Sequence, residues 1–241
     1  MNNILNAASK ITGLMTFQKR LSILGADVSN LNDVFLEMFF IAVIGFMVGG
    51  MINIYAFHGS QRKNALLDYL AFYYKDIKYV GVELLCMLAL MLLYAKWGLN
   101  GQFIGNSVLL FFLIAAAAVD IQKKIIPNKL ILTGSAAGVL MLPVNDRVTW
   151  LSALLAVLLI GGMLWIVAVI SKGGFGLGDV KLLGCIGLFL GLEQTLSALV
   201  LSLLLSAAWG LVLITVKRSN KNKQIPFAPF VLVGTFMAIL L

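Results

Sequence analysis

A chain of 241 residues that is 61% hydrophobic, only 12% charged and has a mean hydropathy of +1.00 lies far outside the range of soluble domains and belongs in a membrane. Its net charge of +8 comes from lysines and arginines placed between apolar stretches, with no basic stripe interleaved with aromatics, which excludes a nucleic-acid partner. Cys86 and Cys185 both sit inside apolar segments and are too few for a thiolate cage, and His58 is the only histidine, so no metal site is expected.

The first 35 or so residues lack the charged start, long apolar core and small-residue cleavage site of a signal peptide. Ile4, Ala8, Ile11 and Met15, then Leu14, Phe17, Leu21 and Leu24, recur at helical spacing, with Lys10, Lys19 and Arg20 on the polar side. This pattern predicts an amphipathic helix lying on the membrane surface over residues 1–35, a frayed polar leader being the plainer alternative. Residues 36–241 then form one membrane-embedded domain. Eight apolar segments follow, near 38–57, 80–94, 104–119, 130–142, 150–170, 180–192, 196–216 and 227–241. They predict an all-α, polytopic membrane helical bundle of about eight transmembrane helices, with both termini on one side.

Orientation follows from the cations. Alternate connections carry thirteen, in the groups Arg62 to Lys78, Lys123 to Lys129, Lys172 with Lys181, and Lys217 to Lys223; the opposite connections carry only Lys96 and Arg147. The positive-inside rule assigns the cation-rich set to the cytoplasm and the chain to the cytoplasmic membrane. Trp97 and Trp150 fall where the outer aromatic belt is expected.

Only ten acids occur, and two of them, Asp120 and Asp179, flank apolar segments at similar depth on the expected cytoplasmic side. Acids at such positions are costly and mark function by default, although an interfacial Asp also serves as a plain helix cap. Two carboxylates on different helices can share one proton, because like charges a few ångströms apart do not both ionise cheaply. That is the chemistry of an aspartic protease: one member deprotonates a water, the other donates to the peptide carbonyl, and neither metal nor covalent intermediate is needed. Gly176 and Gly178, in "GGFGLGDVKLLG", suit a tight loop beside which a substrate strand passes, and Gly178, nearer the acid, is expected to be the more sensitive. Pro127 is expected to halt the helix carrying Asp120. Glu83 is read either as lining a polar cavity that holds a substrate amine or as reaching the interface. Lys181 is read either as biasing the proton on Asp179 or as a positive-inside anchor. Gly184, Gly187 and Gly191 are read as close-packing positions.

The segment "GFGLGDVKLLGCIGLFLG" resembles the signature of the type IV prepilin peptidases, the Gly-x-Gly-Asp intramembrane aspartic proteases. "VDIQKKIIPNKL" is similar to the same family's first catalytic segment, and "IPFAPFVLVG" to its closing motif, with Ala228 in place of the usual glycine. "GGMINIYAF" and "VGVELL" are more loosely similar to further segments of the bacterial branch, so the resemblance runs from about Gly45 to Leu241. It implies that Asp120 and Asp179 are the catalytic pair. It also implies a substrate class, prepilins or pseudopilins, cut after a glycine between a short basic leader and an apolar helix. Many bacterial members carry Cys-x-x-Cys pairs in a longer first cytoplasmic loop; His58 to Tyr79 is short and has no cysteine, so structural zinc is not expected. Many also methylate the new N-terminal amine, and S-adenosylmethionine is implied only if that activity is present. The alternative from another class is a non-catalytic membrane assembly or cation-transport protein that uses the two acids as a binding site. The sequence names no oligomeric state.

Overall fold

The computed structural model describes residues 31–58, 77–145, 147–171, 176–215 and 225–241. The amphipathic extension, up to residue 30, and most of the connections at 59–76, 172–175 and 216–224 lie outside the described residues. Among the described residues all regular structure is helical. In chain order the helices are α1 (Leu31–Asn53), continued by a π-helical turn Ile54–His58, α2 (Ile77–Trp97), α3 (Gly101–Lys123) and α4 (Asn128–Met141). They are followed by α5 (Trp150–Ile170), whose middle turn Ala156–Gly161 is π-helical, α6 (Leu177–Thr215) and α7 (Ala228–Leu240).

Each expected apolar segment falls largely within one of these helices, and among the described residues five runs are long and apolar enough to cross a membrane. α4 and α7 have only 14 and 13 residues, and the sixth and seventh expected segments belong to one run, α6. A straight helix of 39 residues would measure about 58 Å, roughly twice the hydrocarbon core of a bilayer. Gly191, at φ 70 and ψ −172, breaks it. The backbone groups freed there are satisfied locally: Leu192 N–H donates to Ser152 Oγ at 2.9 Å, and Asn145 Nδ2 donates to the Phe189 carbonyl at 3.2 Å. A Cβ at Gly191 would lie 2.5 Å from Ser152 Oγ, in a backbone region that L side chains rarely adopt. Gly191→Ala is therefore expected to destabilise the fold by about 1–3 kcal/mol. It should lower the melting temperature in detergent by several degrees, whereas Gly184→Ala, which meets nothing within 4 Å, should leave it unchanged.

α3 is the axis of the bundle: 78% of its apolar window is buried, against 17–33% for the other four long helices. Its start is fixed by Asn100, whose side chain accepts the Phe103 N–H at 2.9 Å. Its run Ala115–Ala118 offers only small side chains, so neighbouring helices approach closely. The same device joins α1 to α2, where a Cβ on Gly49 would lie 2.6 Å from Glu83 Cα, and α6 to α5, where one on Gly187 would lie 2.8 Å from Ala156 Cβ.

The two ends of the bundle differ in charge. Lys123, Lys124, Lys129 and Lys181 gather at the end that carries Asp120 and Asp179. Lys96 and Arg147 lie at the other end, near enough for their charges to interact. There Lys96 Nζ donates to the carbonyls of Ile239 at 2.9 Å and Leu240 at 2.6 Å, so this cation closes the C-terminus of α7, where a positive charge is favoured.

Candidate active site

Asp120 lies three residues before the end of α3 and is buried, 6% exposed. The helix ends beyond it because Lys124 adopts the left-handed conformation, φ 52, and returns its N–H to the Asp120 carbonyl at 2.8 Å. Pro127 does not stop α3, as expected from sequence; at φ −63 it instead opens α4. The Asp120 carboxylate is held from across the bundle. Its Oδ2 accepts the Ala228 N–H at 3.1 Å, and the Phe227 N–H donates to the same carboxylate. These are the first amides of α7, donors with no partner inside their own helix, at the end where a helix attracts negative charge. The sequence "IPFAPF" thus brings a proline-set helix start to the acid. Ala228 has no left-handed backbone angle, so alanine is accommodated there without conformational cost.

Asp179 is the third residue of α6 and half-buried. Gly176 caps this helix: its carbonyl accepts the N–H groups of Asp179 at 3.0 Å and Val180 at 3.3 Å. Each acid therefore sits against a helix start, Asp179 in the first turn of its own helix and Asp120 on the first amides of another. Both line one cavity of about 400 Å³, with Lys124, Ile126, Asn128 and Lys181 around them, and the charge of Asp120 is felt at Asp179.

The remaining expected site residues divide. Gly176 and Gly178 both line this cavity, and the space beside them differs. A Cβ on Gly176 would lie 2.8 Å from Asp179 Oδ2, whereas one on Gly178 would meet only Ile126, at an ordinary 3.6 Å. Lys181 also lines the cavity, but its Nζ donates to Asn128 Oδ1 at 3.0 Å rather than engaging Asp179. It ties the start of α6 to the start of α4. Glu83 lies outside the cavity lining. It is 1% exposed, where α2 presses on Gly49 of α1, so it does not reach the surface. Sequence reasoning missed the amides of Phe227 and Ala228 and the role of Asn128. The signal for both was present in the closing "IPFAPF" and in the "IPN" after Asp120.

The arrangement provides two carboxylates in one cavity of about 400 Å³ at the end of an apolar bundle, that of Asp120 held by a backbone amide. Residues 107–211 match the model of the type IV leader peptidase family. Among curated proteins the chain is similar to a prepilin leader peptidase/N-methyltransferase of Bacillus subtilis, 31% identical over 148 residues, covering 60% of this chain and 58% of the relative. It is also similar to proteins of the same name from Xanthomonas campestris, 30% identical over 164 residues (66% of this chain, 57% of the relative), and from Aeromonas salmonicida, 29% identical over 164 residues (65% and 54%). The chain thus spans less than three fifths of the length of these relatives. No solved structure matches it. The segment that matches the type IV leader peptidase family, 107–211, is the one in which both aspartates lie.

Proposed function

We propose that this protein is a membrane aspartic endopeptidase that removes the short basic leader of prepilins or pseudopilins at the cytoplasmic face of the cell membrane, after a glycine. One observation carries the reading: Asp120 and Asp179, on different helices, line a single cavity at the cation-rich end of the bundle. In the reaction the pair holds one proton between its two carboxyls, and that proton belongs to the pair rather than to either residue. The ionised member takes a proton from water as the water oxygen attacks the peptide carbonyl carbon, and the protonated member donates to the carbonyl oxygen. Collapse of the tetrahedral intermediate breaks the C–N bond, and the departing amine takes up a proton from the dyad. A leader held outside the bilayer by its positive charge, followed by a helix lying in lipid, presents its junction at the depth of the acids.

The cation-transport alternative is not favoured, since the relatives are named for leader-peptidase activity. Their names also include N-methyltransferase. Among the described residues the acid-lined cavity offers two carboxylates and two lysines but no aromatic side chain on which an adenine would stack, and no methyl-transfer step is assigned to it.

Sidedness is tested with cysteines. Cys86 and Cys185 are buried and give little background. Ile125→Cys, 70% exposed beside the acids, should resist an impermeant thiol reagent in intact cells and react after lysis. Arg147→Cys, at the opposite end, should react in intact cells. The reverse pattern would put the acids on the wrong face for a cytoplasmic leader.

A further inference from the structure

We propose that a second, apolar groove between α2, α3 and α7 receives the apolar helix of the substrate on the C-terminal side of the cleaved bond; this rests on the leader-peptidase reading above. The groove has a volume of about 340 Å³ and its lining is almost wholly apolar. Ala89, Ile114, Ala117 and Ala118 are buried and form its floor, while Leu88 and Val233, both well exposed, stand on opposite walls.

Its position connects it to the chemistry. Ile121 and Pro229 lie in its lining. Ile121 directly follows Asp120, and Pro229 directly follows Ala228, whose N–H holds the Asp120 carboxylate. The two elements that fix the acid therefore also form the mouth of the groove. From there the floor runs up α3 from Ala118 to Leu110, which is about 12 Å or two helical turns at the standard rise. The small residues Ala117 and Ala118 lie at the end next to Asp120, where a helix leaving the cut bond must approach most closely.

The chemistry of the groove selects its occupant. A lining without charge accepts an apolar helix and rejects a basic leader. Continuity with the acids then favours the segment that follows the scissile bond over an acyl chain or a second copy of this protein. Such a helix also meets the bilayer in the direction in which α3 crosses it, so cleavage site and apolar segment are in place together.

Two precursors separate this proposal from the function on which it rests. One carries a basic leader, a glycine junction and a full apolar helix; the other ends a few residues after the junction. Ala89→Leu narrows the groove. The ratio of kcat/KM for the long over the short precursor should fall about tenfold in this variant, whereas general damage would lower both rates alike and leave the ratio unchanged. A benzophenone amino acid replacing Val233, placed in the Asp120→Asn background so that bound precursor persists, should cross-link to the first two turns of the precursor's apolar helix. An unchanged ratio together with cross-links only to lipid, to a second copy or to residues 1–30 overturns the groove. Failure of the wild-type protein to cut either precursor defeats the peptidase reading instead, and the cross-link still reports on the groove.

Discussion

Asp120→Asn and Asp179→Asn should each lower the rate of leader removal by at least about 1,000-fold, because loss of one carboxyl removes either the base or the acid from the shared pair. Folding should survive. Asn keeps an oxygen to accept the Ala228 N–H that now holds Asp120, and an uncharged amide is less costly to bury than a carboxylate. Cleavage of a precursor by each variant, at matched membrane level and with unchanged melting temperature, is the measurement. The wild-type pH profile of kcat/KM should be bell-shaped, falling on the acid side as the pair takes up a second proton and on the basic side as it loses the one it shares. Substantial processing by either variant would remove that residue from the dyad.

The second large effect is at Gly176. Its missing side chain leaves room for the Asp179 carboxylate, since a Cβ there would lie 2.8 Å from Oδ2. Alanine forces that flexible carboxylate aside rather than the backbone, so stability should be preserved while the acid is misplaced. A displacement on the order of 1 Å at a reacting group costs about 100-fold, and Gly176→Ala is expected to lower kcat by that factor with KM little changed. Gly178→Ala meets only Ile126 at 3.6 Å and should be clearly milder. Were Gly178→Ala the slower of the two, close passage of substrate past Gly178 would replace the steric account of Gly176.

What was legible in the sequence follows from which features depend on residue type. The two acids stood out because a carboxylate at the edge of an apolar segment is too costly to be incidental. The helical class was legible because the apolar runs leave little other choice in lipid. The partners of the acids were not legible. Asp120 is held by backbone amides of Phe227 and Ala228, more than a hundred residues away, and a backbone donor leaves no mark in residue identity beyond the prolines that set the helix start. The two segments read at 180–192 and 196–216 do meet at a break, but its form was not legible: the chain turns at one glycine, Gly191, with Ser152 supplying the missing hydrogen bond, so no polar connection separates the halves. The two readings of Glu83 stayed open in the sequence because its depth along α2 is visible there but its burial against Gly49 of α1 is not. For Gly176 and Gly178, distance along the chain from Asp179 was visible in sequence, whereas the cap that folds Gly176 back toward the Asp179 carboxylate was not.

The central claim, that Asp120 and Asp179 act together as a leader peptidase, is tested most directly by mass spectrometry of a synthetic precursor incubated with the purified protein in lipid. The precursor carries a short basic leader ending in glycine, followed by an apolar helix. The predicted result is release of one intact leader, cut after the glycine, by the wild-type protein and by neither Asn variant. No leader from a folded wild-type protein, or the same leader released by both Asn variants, would contradict it.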